Sequence, residues 1–412
     1  MTNRVLLISN NEICYNARLL KAADFLDKNG WEVTVFNGVT GIASEKVYRS
    51  TLKSRKWNVI ENDISKRSLK SKIRWLLNGL LHKIVVYSVE KLEWKIWSKF
   101  YLNKTLLLAP MLRRNKYDWV IINLIDNLPF AVELKNKMKA KVIYDSQEYF
   151  VGQYAAFERC KYKWVVENEK KYIEQVDVLL ATTQVMLDKI GSDYGLNIPS
   201  FRVRNVPTIA QVHSNDRINQ EANFESDVPL RLVWHGMGIY LENRRGLHIL
   251  IKAIANCKQK VHLFLQGKLD DTQKSILNNF IVNYRLQNKL TVLPPALPDK
   301  IVESLTDYDI GLTGELPKEE NQELTSSNKL FDYIAAGLAV LASDVKGVRE
   351  TIEEYKVGFM YKPGDYIQLS ELIDELAIKG QKLSALKSNS ASARKSLSWE
   401  SDYRNVLSIM EN

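Results

Sequence analysis

Residues 325–347 read TSSNKLFDYIAAGLAVLASDVKG. Small polar residues give way at Lys329 to a short apolar stretch with helical character. A cation in the first turn of a helix meets the positive end of the helix dipole, at a cost of roughly 0.3–1 kcal/mol. A bound anion reverses that balance. Up to four backbone N–H groups are unpaired at a helix N-terminus, and they bind phosphate well. Ser326, Ser327 and Asn328 are capping types, and Gly337 supplies the stop. Asp332, about one turn further in, can accept hydrogen bonds from sugar or ribose hydroxyls. A second helix start also carries cations. In WHGMGIYLENRRGLHILIKAI, residues 234–254, Arg244 and Arg245 stand just before Gly246 and the next helical stretch. Together the two starts can hold a diphosphate without metal. The competing reading is a pair of ordinary helix starts with solvated cations.

Other chemistries find little support. Asp307-Tyr308-Asp309 has the DxD form of a metal-binding signature, but it precedes a strand candidate instead of following one. It reads as a turn and strand entry, and Asp270-Asp271 reads as a helix start. The five histidines, at 82, 213, 235, 248 and 262, form no HxxxH or HExxH pattern. Cys14, Cys160 and Cys257 lie far apart, without metal-ligand spacing, which suggests a reducing compartment and no structural zinc. No metal site is expected. The apolar run after Arg4 is too short for a signal core, and no run approaches the ~20 apolar residues of a membrane span. A cytoplasmic protein is the expectation.

The elements that must position these residues follow from periodicity. In 412 residues two domains are the natural prior. Strand candidates are 4–9, 31–36, 118–124, 141–146 and 176–183, with helices over 16–29 and 129–138. The first helix is expected to turn Ala17, Leu20, Ala23, Phe25 and Leu26 inward, and Gly30 to stop it. The second half offers strands at 231–236, 261–267, 289–295, 309–314, 339–344 and 358–363. Apolar strands separated by helices suit parallel sheets covered on both faces. The expected fold class is α/β, with two Rossmann-like doubly wound parallel-sheet domains facing across a crevice. The expected domains are 1–206, with a basic insertion at about 51–116, and 230–395. Residues 207–229 read as a linker. Residues 396–412 read as a terminal helix, which either crosses back to the first domain with Trp399 as its anchor or packs on its own domain.

At this point the chain resembles glycosyltransferase family 4 and its relatives with the GT-B fold. The motifs are HG…RRG…QG…DIGLTG…SSNKLFDYIAAGLAVLAS…GFMYKPGD, followed by a Trp-bearing terminal helix. The first half agrees through NARLLKAADFLDKNGWEVTVF, VIYDSQEYF, ENEKKYIEQVDVLLATT and RVRNVP. The resemblance covers most of the chain outside roughly 45–116. It implies retaining transfer of a sugar from a nucleoside-diphosphate sugar, UDP- or GDP-linked, with no other cofactor and no essential metal. Arg245 and Lys329 would grip the diphosphate, with Arg244 beside them. Ser326, Ser327 and Asn328 would line the phosphate loop, and Asp332 would bind ribose. Gly236 and Gly267 would let backbone approach the donor. Asn16, Arg18 and Gln147 would lie on the acceptor side, and Glu148 would be a catalytic carboxylate there. Three positions depart from the pattern. Met237 stands where an arginine is common, Gln147 where a histidine is, and Leu324 where a donor-binding glutamate is. Glu323 or Glu320 would stand in for the last.

The net charge of +10 is uneven: residues 51–116 hold sixteen Lys/Arg and four Asp/Glu, a local +12, so the remainder sums to −2. Within this stretch Leu69, Ile73, Leu76, Leu77, Leu80 and Ile84 recur at helical spacing. Lys91, Lys95 and Lys99 fall on one face, with Trp94, Trp97 and Tyr101 on another. Lysines and tryptophans along residues 66–104 suggest an anionic membrane surface, hence a peripheral protein at the inner face of the plasma membrane. The plainer alternative is that these helices pack on the first domain. No nucleic-acid module is recognisable. The leading reading is a hexosyltransferase acting on a glycan or lipid-linked acceptor in cell-surface polysaccharide or glycolipid assembly. The alternatives are a nucleotide-sugar epimerase or phosphorylase of the same fold, or a non-catalytic sugar-nucleotide-binding protein.

Overall fold

A computed structural model gives the structure of the protein and describes residues 3–91, 112, 115–154, 159–213, 228–242 and 245–412. Contacts divide the chain into two units, Met1–Val203 with Tyr403–Asn412, and Arg204–Asp402.

The first unit is built on seven strands: β1 (Arg4–Ser9), β2 (Glu32–Val39), β3 (Asn58–Asp63), β4 (Trp119–Ile122), β5 (Lys141–Ser146), β6 (Val178–Ala181) and β7 (Ser200–Arg202). Their order is β3-β2-β1-β4-β5-β6-β7, and every pairing is parallel. Leu6 lies opposite Thr34 on one side and Val120 on the other. Val5 to Ile8, Val120 to Ile122 and Val142 to Tyr144 are almost wholly buried, as strands covered on both faces require.

Two sequence expectations change here. The segment 51–116 is not wholly an insertion: β3 lies within it and forms the sheet edge beside β2. Its sequence, NVIEND, alternates weakly because an edge strand need not be apolar on both faces. The helix Ala17–Lys28 buries Arg18, Leu19, Ala22, Ala23 and Leu26, so its inward face is turned from the one expected. The reason is Arg18. Its Nε and Nη2 donate to Asp145 Oδ2 and Oδ1 at 2.8 and 2.6 Å, and Nη1 donates to Val203 O. A charge so paired can occupy a core position that apolar periodicity would assign to its neighbour.

A second buried polar group makes this unit pH-sensitive. Glu169 is 1% exposed and accepts from the Tyr144 and Tyr194 hydroxyls at 3.2 and 2.9 Å. Burial pushes its pKa up to about 7, against the opposing pull of the two tyrosine donors. Between its ordinary value of 4.5 and about 7, the folded state therefore holds a proton that the unfolded chain has released. Stability is full below that window and declines as pH rises through it, by up to ~1.4 kcal/mol per pH unit. Glu169→Gln should flatten that slope, as read from urea midpoints across the same window.

The second unit has six strands: β8 (Leu230–Gly238), β9 (Val261–Lys268), β10 (Leu290–Leu293), β11 (Ile310–Thr313), β12 (Ala339–Ser343) and β13 (Gly358–Tyr361). Their order is β10-β9-β8-β11-β12-β13, again all parallel. Leu232, Leu263, Ile310 and Leu341 form the sheet's share of one core, covered by Leu250, Ile254, Leu369 and Ile373 from helices Leu247–Asn256 and Tyr366–Ile378. The expected fold class, two doubly wound parallel sheets, is what the structure shows.

The last helix, Trp399–Glu411, contributes to both units. Within the second unit the Trp399 backbone N–H donates to Pro207 O, and Asp402 accepts from both the backbone and the guanidinium of Arg204. Within the first, Tyr403 packs edge-on against Phe25, and Met410 O accepts from Trp119 Nε1.

Candidate functional site

Each sheet reverses its strand order at one point, between β1 and β4 and between β8 and β11. Chains leaving the carboxyl ends of two such neighbours turn to opposite faces, and ligands of open α/β sheets bind in the gap they leave.

In the second unit, helix Asn328–Ala335 begins beside this point. Its position is fixed by Tyr333, whose hydroxyl donates to Leu312 O at 3.0 Å and whose ring lies against β11 at Gly311. Only glycine at 311 permits that packing, since a Cβ there would sit 2.1 Å from the ring. Ser327 is the N-cap residue, but its side chain makes no capping bond; its Oγ instead accepts from Lys329 Nζ at 3.2 Å. The leading N–H groups are thus left without a side-chain cap, the arrangement that suits an anion.

Lys329 does not point into solvent. Its side chain is 12% exposed, with Nζ 3.7 Å from Glu315 Oε1 and 5.4 Å from the centre of the Trp234 ring. Burial lowers its pKa; Glu315 opposes that effect, and the Arg245 guanidinium adds to it. Arg245 borders Gly236: a Cβ on that glycine would lie 3.3 Å from Arg245 Nη1 and 2.7 Å from the Trp234 ring. A Cβ on Gly267 would in turn lie 2.8 Å from Gly236 O. Both glycines are therefore required by close approach.

Asp332 stands one turn behind Lys329, with Oδ2 3.4 Å from His235 Nε2. Burial, reinforced by the Lys329 charge, lowers the His235 pKa to about 3. The ring is neutral at working pH, so this approach is not an ion pair. Among the described residues, the buried side-chain atoms at this edge without a hydrogen-bond partner include His235 Nε2, Thr313 Oγ1, Glu315 Oε2 and Ser326 Oγ. Each such group costs ~1–3 kcal/mol if nothing meets it. Their concentration at one sheet edge is what a polar ligand would satisfy.

Lys329, Arg245, Gly236, Gly267, Ser326, Ser327 and Asp332 thus fall together. Asn328 opens the helix and is exposed. Arg244 lies outside the described residues. Glu323 sits half-buried in the short helix Glu320–Leu324, and the carboxylate that reaches Lys329 is Glu315. The sequence reading passed over Glu315, Trp234, His235 and Tyr333. Glu315 was detectable, since it follows β11 by two residues at the carboxyl edge.

In the first unit, Asn16 caps the helix Ala17–Lys28 at the switch point. Its Oδ1 accepts from the Leu19 N–H and from Asn123 Nδ2 at 2.7 Å, and its Nδ2 donates to Ser9 Oγ. Asn123, Gln147 and Thr182 each stand one residue beyond the ends of the adjacent strands β4, β5 and β6. Among the described residues, Asn123 Oδ1, Gln147 Nε2 and Thr182 Oγ1 are all buried without hydrogen-bond partners. Glu148 follows Gln147 and is half-buried. Arg18 is corrected: at 3% exposed and clamped to Asp145 it is a strut of the core, not a wall of an open site.

The second unit also carries a sequence signature. Residues 240–393 match the family Glycosyl transferases group 1. A comparison with curated protein sequences found no match. Solved structures match over the whole chain. Sucrose-phosphate synthase from Thermosynechococcus elongatus aligns at a TM-score of 0.68 and 14% identity, over 99% of this chain and 98% of its own. Anabaena HepE in complex with UDP and glucose aligns at 0.65 and 15%, over 99% of each chain. A mutant of S. aureus TarM in complex with fondaparinux, alpha-GlcNAc-glycerol and UDP aligns at 0.64 and 10%, over 100% of each. The fold is GT-B.

In this GT-B chain the DxD-like triplet is structural. The backbone N–H of Arg231 donates to Asp309 Oδ2, and Lys387 Nζ donates to Oδ1 at 3.0 Å. Asp270 caps the helix Asp271–Asn283 through the Gln273 N–H.

Proposed function

We propose that the protein is a glycosyltransferase that moves a sugar from a nucleoside-diphosphate sugar to a hydroxyl of a glycan or lipid-linked acceptor, with retention and without metal. One observation carries this reading: a buried lysine and an arginine converge on an uncapped helix N-terminus at the sheet's switch point. Cleaving the bond from the anomeric carbon to the phosphate oxygen leaves its electron pair on the diphosphate. Preorganised cations and helix N–H groups stabilise that charge as it develops. Lys329, Arg245 and the N–H groups after Ser327 supply this. Arg244, which lies outside the described residues, is proposed as a further cation for the donor. Asp332 is assigned to ribose, and Glu315 with Ser326 to donor hydroxyls. The acceptor hydroxyl attacks from the face the phosphate leaves, and its proton passes to the departing phosphate oxygen.

Asn123, Gln147 and Thr182 offer the first unit's unpaired polar atoms to a hydroxyl-rich acceptor, and Glu148 orients it. UDP in the HepE and TarM complexes favours uridine nucleotides as the first donors to test. Cell-surface polysaccharide or glycolipid assembly is the proposed setting. The test is release of nucleoside diphosphate from UDP- and GDP-sugars in EDTA, with glycan and lipid-linked acceptors. Acceptor-dependent release supports the reading. Release only with inorganic phosphate, or epimerised donor without acceptor, would favour a phosphorylase or epimerase.

A further inference from the structure

Helix Leu69–Lys91 is built inside out for a surface helix. Leu69, Ile73, Leu76, Leu80, Ile84 and Tyr87 recur every three or four residues, so they share one face. All six are exposed, from 49% for Ile73 to 76% for Leu69, and Leu77 beside them is 50% exposed. The residues turned inward are Ser71, Asn78, Val85, Ser88 and Val89, small or polar in three of five cases. Among the described residues, nothing buries the apolar stripe. Lys70, Lys72, Arg74, Lys83 and Lys91 accompany the stripe against a single acid, Glu90.

We propose that this helix lies in the interface of an anionic membrane, apolar face down. The helix is ~35 Å long at 1.5 Å per residue, and among the described residues no helix is long and apolar enough to cross a membrane. It therefore lies in the plane of the surface. Charge selects the occupant. The stretch 51–116 carries a net +12, so a second copy would bring like charge against like, whereas an anionic lipid surface complements both the stripe and its flanking cations. The proposal is independent of the catalytic reading.

The test is flotation of the full-length protein with vesicles of phosphatidylcholine alone or with one-third phosphatidylglycerol. The expected result is binding at least about tenfold stronger to the anionic vesicles. Leu76→Glu with Leu80→Glu and Ile84→Glu should lose at least about tenfold, and Lys72→Glu with Lys83→Glu about tenfold, each with a wild-type melting temperature. Three results would overturn it. One is equal binding by wild type and both variants. Another is a dimer, seen by light scattering, that the glutamate variant dissociates while vesicles bind neither form. The third is a glutamate variant that melts early with unchanged vesicle binding, which would mean the chain itself covers the stripe.

Discussion

Lys329→Ala is expected to lower kcat/KM for glycosyl transfer by about 100- to 1000-fold, the range seen when one preorganised charge-stabilising group is removed from a transition state. The buried setting is what makes the effect large. Lys329 is held beside Trp234 and Glu315 with little solvent, so its charge is poorly screened. Without a ligand that charge is a strain, since burial already lowers its pKa. A diphosphate would relieve the strain, and the leaving group's growing charge would strengthen the pairing further. The loss should therefore appear in kcat as well as in KM. The melting temperature separates this from misfolding, because Tyr333 and Gly311 fix the helix without help from Lys329. A loss of only a few-fold would remove Lys329 from the chemistry.

Arg18→Leu is expected to destabilise the first unit by about 3–5 kcal/mol, because it strands the Asp145 carboxylate in the core. Asp145 is 4% exposed and takes two of its hydrogen bonds from Arg18. Arg18→Leu with Asp145→Leu should recover most of that loss, since a buried ion pair replaced by apolar groups is often neutral. Urea unfolding of the two variants measures the difference. If Arg18 were instead an acceptor contact, the single variant would keep its stability and raise the acceptor KM.

The central strands were legible because both faces of each are buried, which writes apolar runs directly into the sequence. β3 and β7 were not, since an edge strand with one neighbour tolerates polar residues such as the Asn, Glu and Asp of β3 and the Ser and Arg of β7. The phase of the first helix was misjudged at Arg18 because periodicity counts a charge as outward, and only the distant Asp145 makes it inward. The lysine in TSSNKLF was legible for the opposite reason: it breaks a local rule, and a ligand would remove the conflict. Glu315 follows a strand that the sequence shows, but its place beside Lys329 depends on β11 lying next to β8, strands far apart in the sequence. The sequence likewise places Leu69 and its companions on one face, but only packing says which way that face looks.

The most direct test of the central claim is calorimetric titration of UDP and GDP, in EDTA, into wild type and Lys329→Ala. The expected result is that one of the two binds the wild type and binds the variant at least about tenfold more weakly, a difference of ~1.4 kcal/mol or more. Equal affinity for both proteins, or no nucleoside diphosphate bound by either, would contradict the assignment of the anion to this helix.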